Sequence, residues 1–279
     1  MTGAKPQRVC VFCGGTPLTK EHVFGQWTSE FFSMPKKDNS MLGRKLVGHK
    51  RENAFGEEEL EFEDRGLDVP VQDVTVKAVC GSCNNGWMGD LELRMKRLYT
   101  RLIAGKVPLD RDNFDLIERW AVKTAIMWQY NHPETVIARP AQRQALFDGD
   151  VVPGASIRVG RRKYWDRDGI FIFGTTLRTT ADDDGTGRTE PTVVVTLIAI
   201  GPLVIVQTLG HHRDAMRMES VTAYPGSKIR PLRVGLVWPG AFLRMSVREF
   251  DELVYRVGGS EEVEMTEFLQ WKRAGLRGE

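Results

Sequence analysis

Hydrophobic residues recur with two different periods along the chain, and the change of period separates regions of different secondary structure. After Cys83, apolar side chains recur every three to four residues as far as Gly105, which predicts an amphipathic helix that ends at that glycine. The same spacing from about Asn113 to Tyr130, with Pro133 shortly beyond, predicts a second helix. The apolar positions are Trp87, Leu91, Met95, Leu98 and Leu102 in the first helix and Leu116, Trp120, Ala121, Thr124 and Met127 in the second.

From about Ser156 the period shortens, and apolar runs alternate with clusters of Gly, Pro and Asp. The runs IRV, GIFIFGTTLRTT, TVVVTLIAI and LVIVQTLG are typical of strands, and Gly201-Pro202 is predicted to be the tight turn between the last two. Helical spacing returns at 246–256 and 266–273. These patterns predict an α+β protein with a helical segment, a mainly antiparallel β region and C-terminal helices.

The composition narrows the class of protein without identifying it. The chain has 279 residues, 41% of them hydrophobic, which is enough for one large domain or two ordinary ones. Its longest apolar run, 193–206, is interrupted and shorter than the roughly 20 residues of a membrane helix, so we expect no membrane partner. The first residues do not resemble a secretory signal, and we expect a cytoplasmic location with reduced thiols. A formal charge of +2 is too small to indicate nucleic-acid binding by itself.

All four cysteines fall into two C-x-x-C pairs, Cys10 with Cys13 and Cys80 with Cys83. Four thiolates suit tetrahedral zinc, so the spacing predicts a structural zinc site. The second pair leads directly into the predicted helix, as in a treble-clef finger. A charged segment between the pairs, basic and then acidic, is interpreted as a solvated insertion. Because zinc with four thiolate ligands has no open coordination position, any chemistry must be carried out by other residues.

A second group of polar residues accompanies the cysteines. The segment LTKEHVFGQW places Glu21 and His22 soon after the first pair, and Asn84 follows the second pair directly. A Glu-His pair alone is more typical of an exposed polar turn, but the ordered set makes these residues candidates for a site. Asn85 is expected to cap the helix or to turn the chain into Gly86.

The segments CVFC, LTKEHV and VCGSCNNGWMGDLE, in this order, resemble the zinc-supported branch of the HNH endonuclease superfamily. The segments EHVFGQW, CNNGWM and ERWAVKTA are similar to a group of uncharacterised bacterial and phage HNH proteins. The resemblance implies that residues 1–105 form a ββα-metal nuclease domain, within which the charged segment is an insertion, and that this domain hydrolyses phosphodiester bonds in DNA. It also implies His22 as general base, and Glu21 and Asn84 as ligands of a catalytic Mg²⁺ or Mn²⁺. The hydrophobic pattern predicts that residues 106–279 form a second, α+β domain of unknown role.

Two positions depart from the family pattern. The family has an Asn shortly before the second cysteine pair, near Thr75, and this chain has none there, so Thr75 or Asp73 is the candidate to orient His22. Gly25 stands where the family favours Pro. These departures leave two alternatives open. One is a catalytically degenerate zinc module that binds nucleic acid or protein. The other is a chain whose main activity lies in 106–279, where no catalytic set is recognisable.

Overall fold

The computed structural model describes residues 8–32, 45–52, 58–65, 71–131, 136–162, 169–178, 191–210, 229–231, 236–238, 240, 242–246, 248–250 and 253–254. Within these residues the chain is a mixed α+β protein with several sheets and a few helices. The predicted α+β class is therefore confirmed at this level. The treble-clef description of the N-terminal region stays a prediction.

The N-terminal unit consists of an antiparallel hairpin followed by a long helical stretch. Strand β1 (Leu18–His22) pairs with β4 (Thr75–Cys80), and α1 (Gly81–Cys83) follows at once. A π-helical turn with a kink at Gly86 then leads into α2 (Gly89–Ala104). The predicted helix after the second cysteine pair is confirmed, and its end at Gly105 is also confirmed.

The charged insertion contains two strands that the sequence pattern did not predict. Strands β2 (Lys45–Glu52) and β3 (Glu58–Arg65) pair antiparallel, with Arg51 opposite Glu59 and His49 opposite Glu61. Charged residues stand at both odd and even positions of these segments, so neither face of either strand is apolar. The alternation of apolar and polar residues that predicts a strand is therefore missing.

Helix α3 (Arg111–Gln129) lies at the centre of the molecule and confirms the second predicted helix. Its first turn is capped by Asp110, whose side chain accepts a hydrogen bond of 2.9 Å from the amide of Asn113. Every residue from 120 to 129 is buried. A helix buried on all sides must have packing partners on all sides, and α3 has the hairpin unit on one side and a large sheet on another.

Helix α4 (Pro140–Asp148) was not predicted, because its nine residues carry only a weak apolar stripe. Its boundaries nevertheless have the usual signals. Pro140 occupies the first turn, and Gly149 ends the helix with a left-handed φ of 85°.

The predicted strands of the second half form one sheet. Its four long strands are β6 (Ala155–Arg162), β7 (Ile170–Arg178), β8 (Pro191–Ile200) and β9 (Leu203–Gly210). These strands pair antiparallel in the order β6-β9-β8-β7, and Gly201-Pro202 makes the predicted turn between β8 and β9. One face of the sheet packs on α3, and the other packs on Phe250, Leu253 and Val254. Burial on both faces explains the continuous apolar run of these strands.

Short strands complete the described fold. Strands β10 (Ile229–Pro231) and β12 (Arg244–Met245) pair with β6, and β5 (Val107–Leu109) pairs with β11 (Leu236–Trp238). The predicted helix at 246–256 is helical at 248–250 and 253–254, and the one predicted at 266–273 lies outside the described residues.

One apolar core runs through the hairpin unit, α3 and the sheet, from Cys10 to Phe242. Contacts cross the predicted boundary at residue 105: the indole nitrogen of Trp238 donates a 2.9 Å hydrogen bond to the carbonyl of Leu102. The division into 1–105 and 106–279 stays a prediction. Among the described residues, no helix is long and apolar enough to cross a membrane.

Shortening a core side chain of α3 should weaken the hairpin unit and the sheet together. Ile126 has no exposed surface, so Ile126→Ala is expected to cost about 2–5 kcal/mol of unfolding free energy. The matched control Leu93→Ala, at a side chain that is 48% exposed, should change it by less than about 0.5 kcal/mol. Guanidinium unfolding followed by circular dichroism and by tryptophan fluorescence should give coincident curves that shift together. Two separate transitions, only one of them shifted, would contradict a shared core.

Candidate metal centre and active site

The two cysteine pairs meet in space despite their distance in the sequence. Their sulfur atoms all lie within 4.8 Å of one another, and the Sγ atoms of Cys13 and Cys80 are 3.5 Å apart. Four sulfurs about 2.3 Å from a tetrahedral zinc are separated by roughly 3.8 Å, so the cluster fits that ion. Cys10, Cys80 and Cys83 are buried, whereas Cys13 is exposed. The predicted cysteine cluster is confirmed, and it is able to hold a metal ion such as zinc.

Local backbone geometry presents the first cysteine pair. The amide of Gly14 donates to the carbonyl of Cys10, and Gly14 has a φ of 72°, a conformation that other residues resist. The Gly15 amide donates to the Sγ of Cys13 at 3.4 Å. The amide of Val11 donates to the Ala78 carbonyl at 3.0 Å, which fixes this turn against β4. Cys80 ends β4 and Cys83 ends α1, so the strand and helix position the second pair.

The pKa values of Cys10 and Cys83 are shifted in opposite directions, as expected when neighbouring thiols in one small cluster compete to lose their protons. Burial raises the pKa of Cys10, but backbone amides of Cys13, Cys80 and Phe12 outweigh it and lower the pKa to about 7. Burial and the neighbouring thiols raise the pKa of Cys83 well above its ordinary value. A bound cation would supply the positive charge that allows all four thiols to ionise, so metal binding would release protons.

Strand pairing places His22 and Thr75 directly opposite each other. The register aligns His22 with Thr75 and Glu21 with Val76, after a bulge near Lys20. Because side chains alternate along a strand, the His22-Thr75 pair shares one face and Glu21 turns to the other. The face of His22 is partly exposed, whereas Glu21 and Val76 are buried. Thr75 is thus the cross-strand partner of His22. Asp73 is exposed in a 3-10 turn, Val71–Asp73, before β4.

Asn84 connects the helix start to β1. Its amide nitrogen donates to the carbonyl of Lys20 at 3.0 Å and to the hydroxyl of Thr19 at 3.1 Å. The carbonyl oxygen Oδ1 of the same side chain accepts no hydrogen bond from the part of the chain that the structure describes. The structure therefore brings Asn84 against the strand that carries His22. Asn85 is exposed, and no side chain caps this turn, whereas the backbone kink at Gly86 agrees with the predicted alternative, in which Asn85 turns the chain into Gly86.

The Glu21 carboxylate points into the protein and meets a lysine. Glu21 is 7% exposed, and its Oε1 lies 3.1 Å from the Nζ of Lys123, which has no exposed surface. Lys123 also lies 2.7 Å from the Oε1 of Glu92. Burial raises the pKa of Glu21, and Lys123 opposes that shift in part. The structure thus separates Glu21 from the outward face of His22, and its predicted role as a metal ligand stays a prediction.

Two tryptophans donate hydrogen bonds to the carboxylate of Glu92. The indole nitrogen of Trp27 donates to Oε2 at 2.6 Å, and that of Trp120 lies 3.1 Å from both carboxylate oxygens. Burial lowers the pKa of Lys123, but the charges of Glu92 and Glu21 outweigh it and hold the pKa above its ordinary value. We call the residues Glu21, Glu92, Lys123, Trp27 and Trp120 the buried polar cluster.

The buried polar cluster also accounts for the glycine at position 25. A Cβ atom at Gly25 would lie 2.3 Å from the Oε2 of Glu92 and 2.5 Å from the indole nitrogen of Trp27. Both distances are far inside van der Waals contact, so every residue with a side chain, proline included, would displace the cluster. Gly25 leaves the room that Glu92 occupies.

Lys123 and Glu92 were not predicted from the sequence to be members of a site. Each lies on a predicted helix, where a single charged residue normally points to solvent. The usable signal was the position of Lys123 inside the apolar run WAVKTAIMW, where a charge has no exposed face available. Its partners come from distant segments and have no pattern of their own.

No protein-family model, curated protein or solved structure matches the chain. The resemblance to the HNH superfamily accordingly rests on the residues quoted above.

The cysteine cluster should bind one zinc ion per chain. Protein purified without added metal should contain zinc in a one-to-one ratio by elemental analysis, because four soft thiolates select this ion. Cys80→Ser should lose the zinc and lower the melting temperature, since metal binding stabilises a site absent from the unfolded chain. Ser82→Ala, an exposed change between Cys80 and Cys83, is the control and should keep both. Wild-type protein that is stable and free of metal would contradict the prediction.

Proposed function

We propose that this protein is a metal-dependent endonuclease of the HNH type that hydrolyses phosphodiester bonds in DNA. The observation that carries the proposal is the arrangement of one hairpin. Strand β1 begins beside the cysteine cluster, with Leu18 opposite Cys80, and ends at His22, which lies on a partly exposed face opposite Thr75. The cysteine cluster would hold structural zinc, and the hairpin would present the histidine to substrate.

In this proposal His22 is the general base. Imidazole exchanges a proton with water near neutral pH, and it would take the proton from the water that attacks phosphorus. The electrons of the new P–O bond come from that water. The P–O bond to the 3′ oxygen breaks, and the oxygen leaves with its electron pair. Thr75, the cross-strand partner, is the residue placed to orient the ring in the absence of the family's Asn.

A divalent ion, Mg²⁺ or Mn²⁺, would stabilise the charge on the phosphate and on the leaving oxygen. Asn84 supports this part of the proposal, because its amide nitrogen is used in binding β1 while its carbonyl oxygen is left for a cation. Glu21 is the second proposed ligand. To bind the ion, its carboxylate would have to turn from Lys123 toward the face that carries His22. The variant Glu21→Gln, described below, tests this role.

Exposed lysines on the hairpin support a phosphate-bearing substrate. Lys20 lies two residues before His22, and Lys77 lies two residues after Thr75, and both are exposed. Side chains two residues apart on a regular strand share a face, which places Lys77 on the face of Thr75 and His22. The bulge near Lys20 interrupts this alternation on β1, so Lys20 is placed near His22 by sequence alone. Positive charge beside the candidate base would attract the DNA backbone and would make binding weaken as salt rises.

The second candidate function is a zinc module that binds nucleic acid or protein without cleaving it. Two observations favour it: Thr75 occupies the position of the family's Asn, and the Glu21 carboxylate is engaged by Lys123. Such a module would use the same cysteine cluster and the same lysines but would not need His22.

Removing the imidazole should separate these two functions. His22→Ala is expected to fold, to keep its zinc and to bind DNA, but to cleave plasmid on the order of 10²-fold more slowly, because the general base is lost. The assay measures nicking and linearisation of plasmid, and cleavage of single-stranded DNA, with Mg²⁺ and with Mn²⁺. Ser82→Ala should cleave at the wild-type rate. Cleavage by His22→Ala at that rate would contradict the mechanism, and no cleavage by wild-type protein would favour the binding module.

The same assay distinguishes the roles of Asn84 and Glu21. If Asn84 ligates the ion, Asn84→Ala should need more Mn²⁺ for half-maximal cleavage, and a high concentration should restore part of the rate. If Glu21 is a ligand, Glu21→Gln should behave in the same way. A loss in Glu21→Gln that no concentration of Mn²⁺ repairs would assign the carboxylate to Lys123 instead.

A further inference from the structure

We propose that Lys123 is a positioning residue that holds His22 in its working orientation from inside the protein, an inference that rests on the proposed function. Its ammonium group contacts both neighbours of the histidine. The Nζ atom lies 3.1 Å from the Glu21 carboxylate and 3.5 Å from the carbonyl oxygen of Val23. Glu21 and Val23 are the residues on either side of His22, so one buried charge fixes the backbone that carries the imidazole.

The same cluster holds the chain beyond the histidine. Lys123 is bound to Glu92 at 2.7 Å, and Glu92 accepts a 2.6 Å hydrogen bond from Trp27. Trp27 lies in the 3-10 helix Gln26–Glu30, one short turn after β1. Both ends of the segment from Glu21 to Trp27 are thus tied to one ion pair. Because side chains alternate along a strand, inward contacts of Glu21 leave His22 facing outward.

A contribution to the stability of the fold does not by itself explain why a lysine stands at position 123. Exchange of a whole buried ion-pair cluster for well-packed apolar residues is often neutral or stabilising, so apolar residues in place of Lys123, Glu21 and Glu92 together would serve the core equally well. Lys123 has no exposed surface, and the adjacent Val122 and Thr124 are also fully buried. An apolar residue cannot, however, bind the Glu21 carboxylate and the Val23 carbonyl, so it cannot connect α3 to both neighbours of His22.

Replacing Lys123 can change both the orientation of His22 and the stability of the folded protein, so the variants must separate these two effects. Lys123→Met removes the ammonium and leaves Glu21 and Glu92 without it. Lys123→Met combined with Glu92→Gln keeps the net charge of the cluster at the wild-type value, because one positive and one negative charge are removed together. The combined variant also retains the Glu21 carboxylate as a possible metal ligand. Thr124→Val is the control, since the buried hydroxyl of Thr124 has no hydrogen-bond partner in the described part of the chain.

Steady-state cleavage of DNA by folded, zinc-loaded protein is the first readout. Both Lys123 variants should lose about 10²-fold in kcat, the scale expected for a displacement of about 1 Å in a catalytic group. KM for DNA should stay at the wild-type value, because Lys20 and Lys77 remain exposed. The combined variant should regain melting temperature over Lys123→Met without regaining kcat. Recovery of kcat together with melting temperature would overturn the proposal, because that result indicates a purely structural role.

Nuclear magnetic resonance of histidine-labelled protein is the second readout, and it needs no catalysis. The chain has 5 histidines, and the signal of His22 is the one that His22→Ala removes. The Lys123 variants should shift or broaden that signal, and Thr124→Val should leave it in place. If Lys123→Met does not fold, the combined variant carries both tests. Wild-type protein without nuclease activity would refute the proposed function alone, whereas an unmoved His22 signal in the Lys123 variants would refute the positioning role.

Discussion

The fully buried ammonium of Lys123 is the constraint on which the N-terminal unit depends, because a charge removed from water must be neutralised by groups within hydrogen-bonding distance. Two carboxylates meet this requirement, one from strand β1 and one from helix α2. Neither element is free to slide along α3 without exposing an unpaired charge to the core. The indoles of Trp27 and Trp120 complete the arrangement at Glu92, and Gly25 leaves room for it.

The β1-β4 hairpin is fixed at both ends by different chemistry. At one end Leu18 stands opposite Cys80, beside four sulfurs that fit a tetrahedral ion. At the other end the carboxylate of Glu21 and the carbonyl of Val23 meet Lys123. His22 lies at this second end with its side chain on the opposite face. A strand fixed in this way presents an imidazole on a rigid support, which a site on a mobile loop does not provide.

The parts of the fold that follow a local period were predictable from the sequence, and the contacts between distant segments were not. Helices α2 and α3 and strands β6 to β9 follow from hydrophobic spacing, and the cysteine cluster follows from two C-x-x-C pairs. Strands β2 and β3 could not be predicted in this way, because their many charged residues leave no alternation of apolar and polar positions. The ion pair between Glu21 and Lys123 joins residues on separate elements, and only a charge within an apolar helix hinted at it. This contact buries Glu21, whose role as a metal ligand stays a prediction. Thr75, one of the two residues named as candidates to orient His22, lies opposite it in the hairpin.

In the proposed mechanism, a divalent ion binds on the face of the hairpin that carries His22, next to the carbonyl oxygen of Asn84. Titration of zinc-loaded protein with Mn²⁺ tests it most directly, because the paramagnetic ion broadens the resonances of nearby nuclei steeply with distance. We expect the signals of the His22 ring and the Asn84 side chain to disappear at low Mn²⁺, while the signal of the backbone amide of Thr208 in the large sheet stays sharp. Equal loss at all three positions, or sharp signals at His22 and Asn84 throughout the titration, would contradict it.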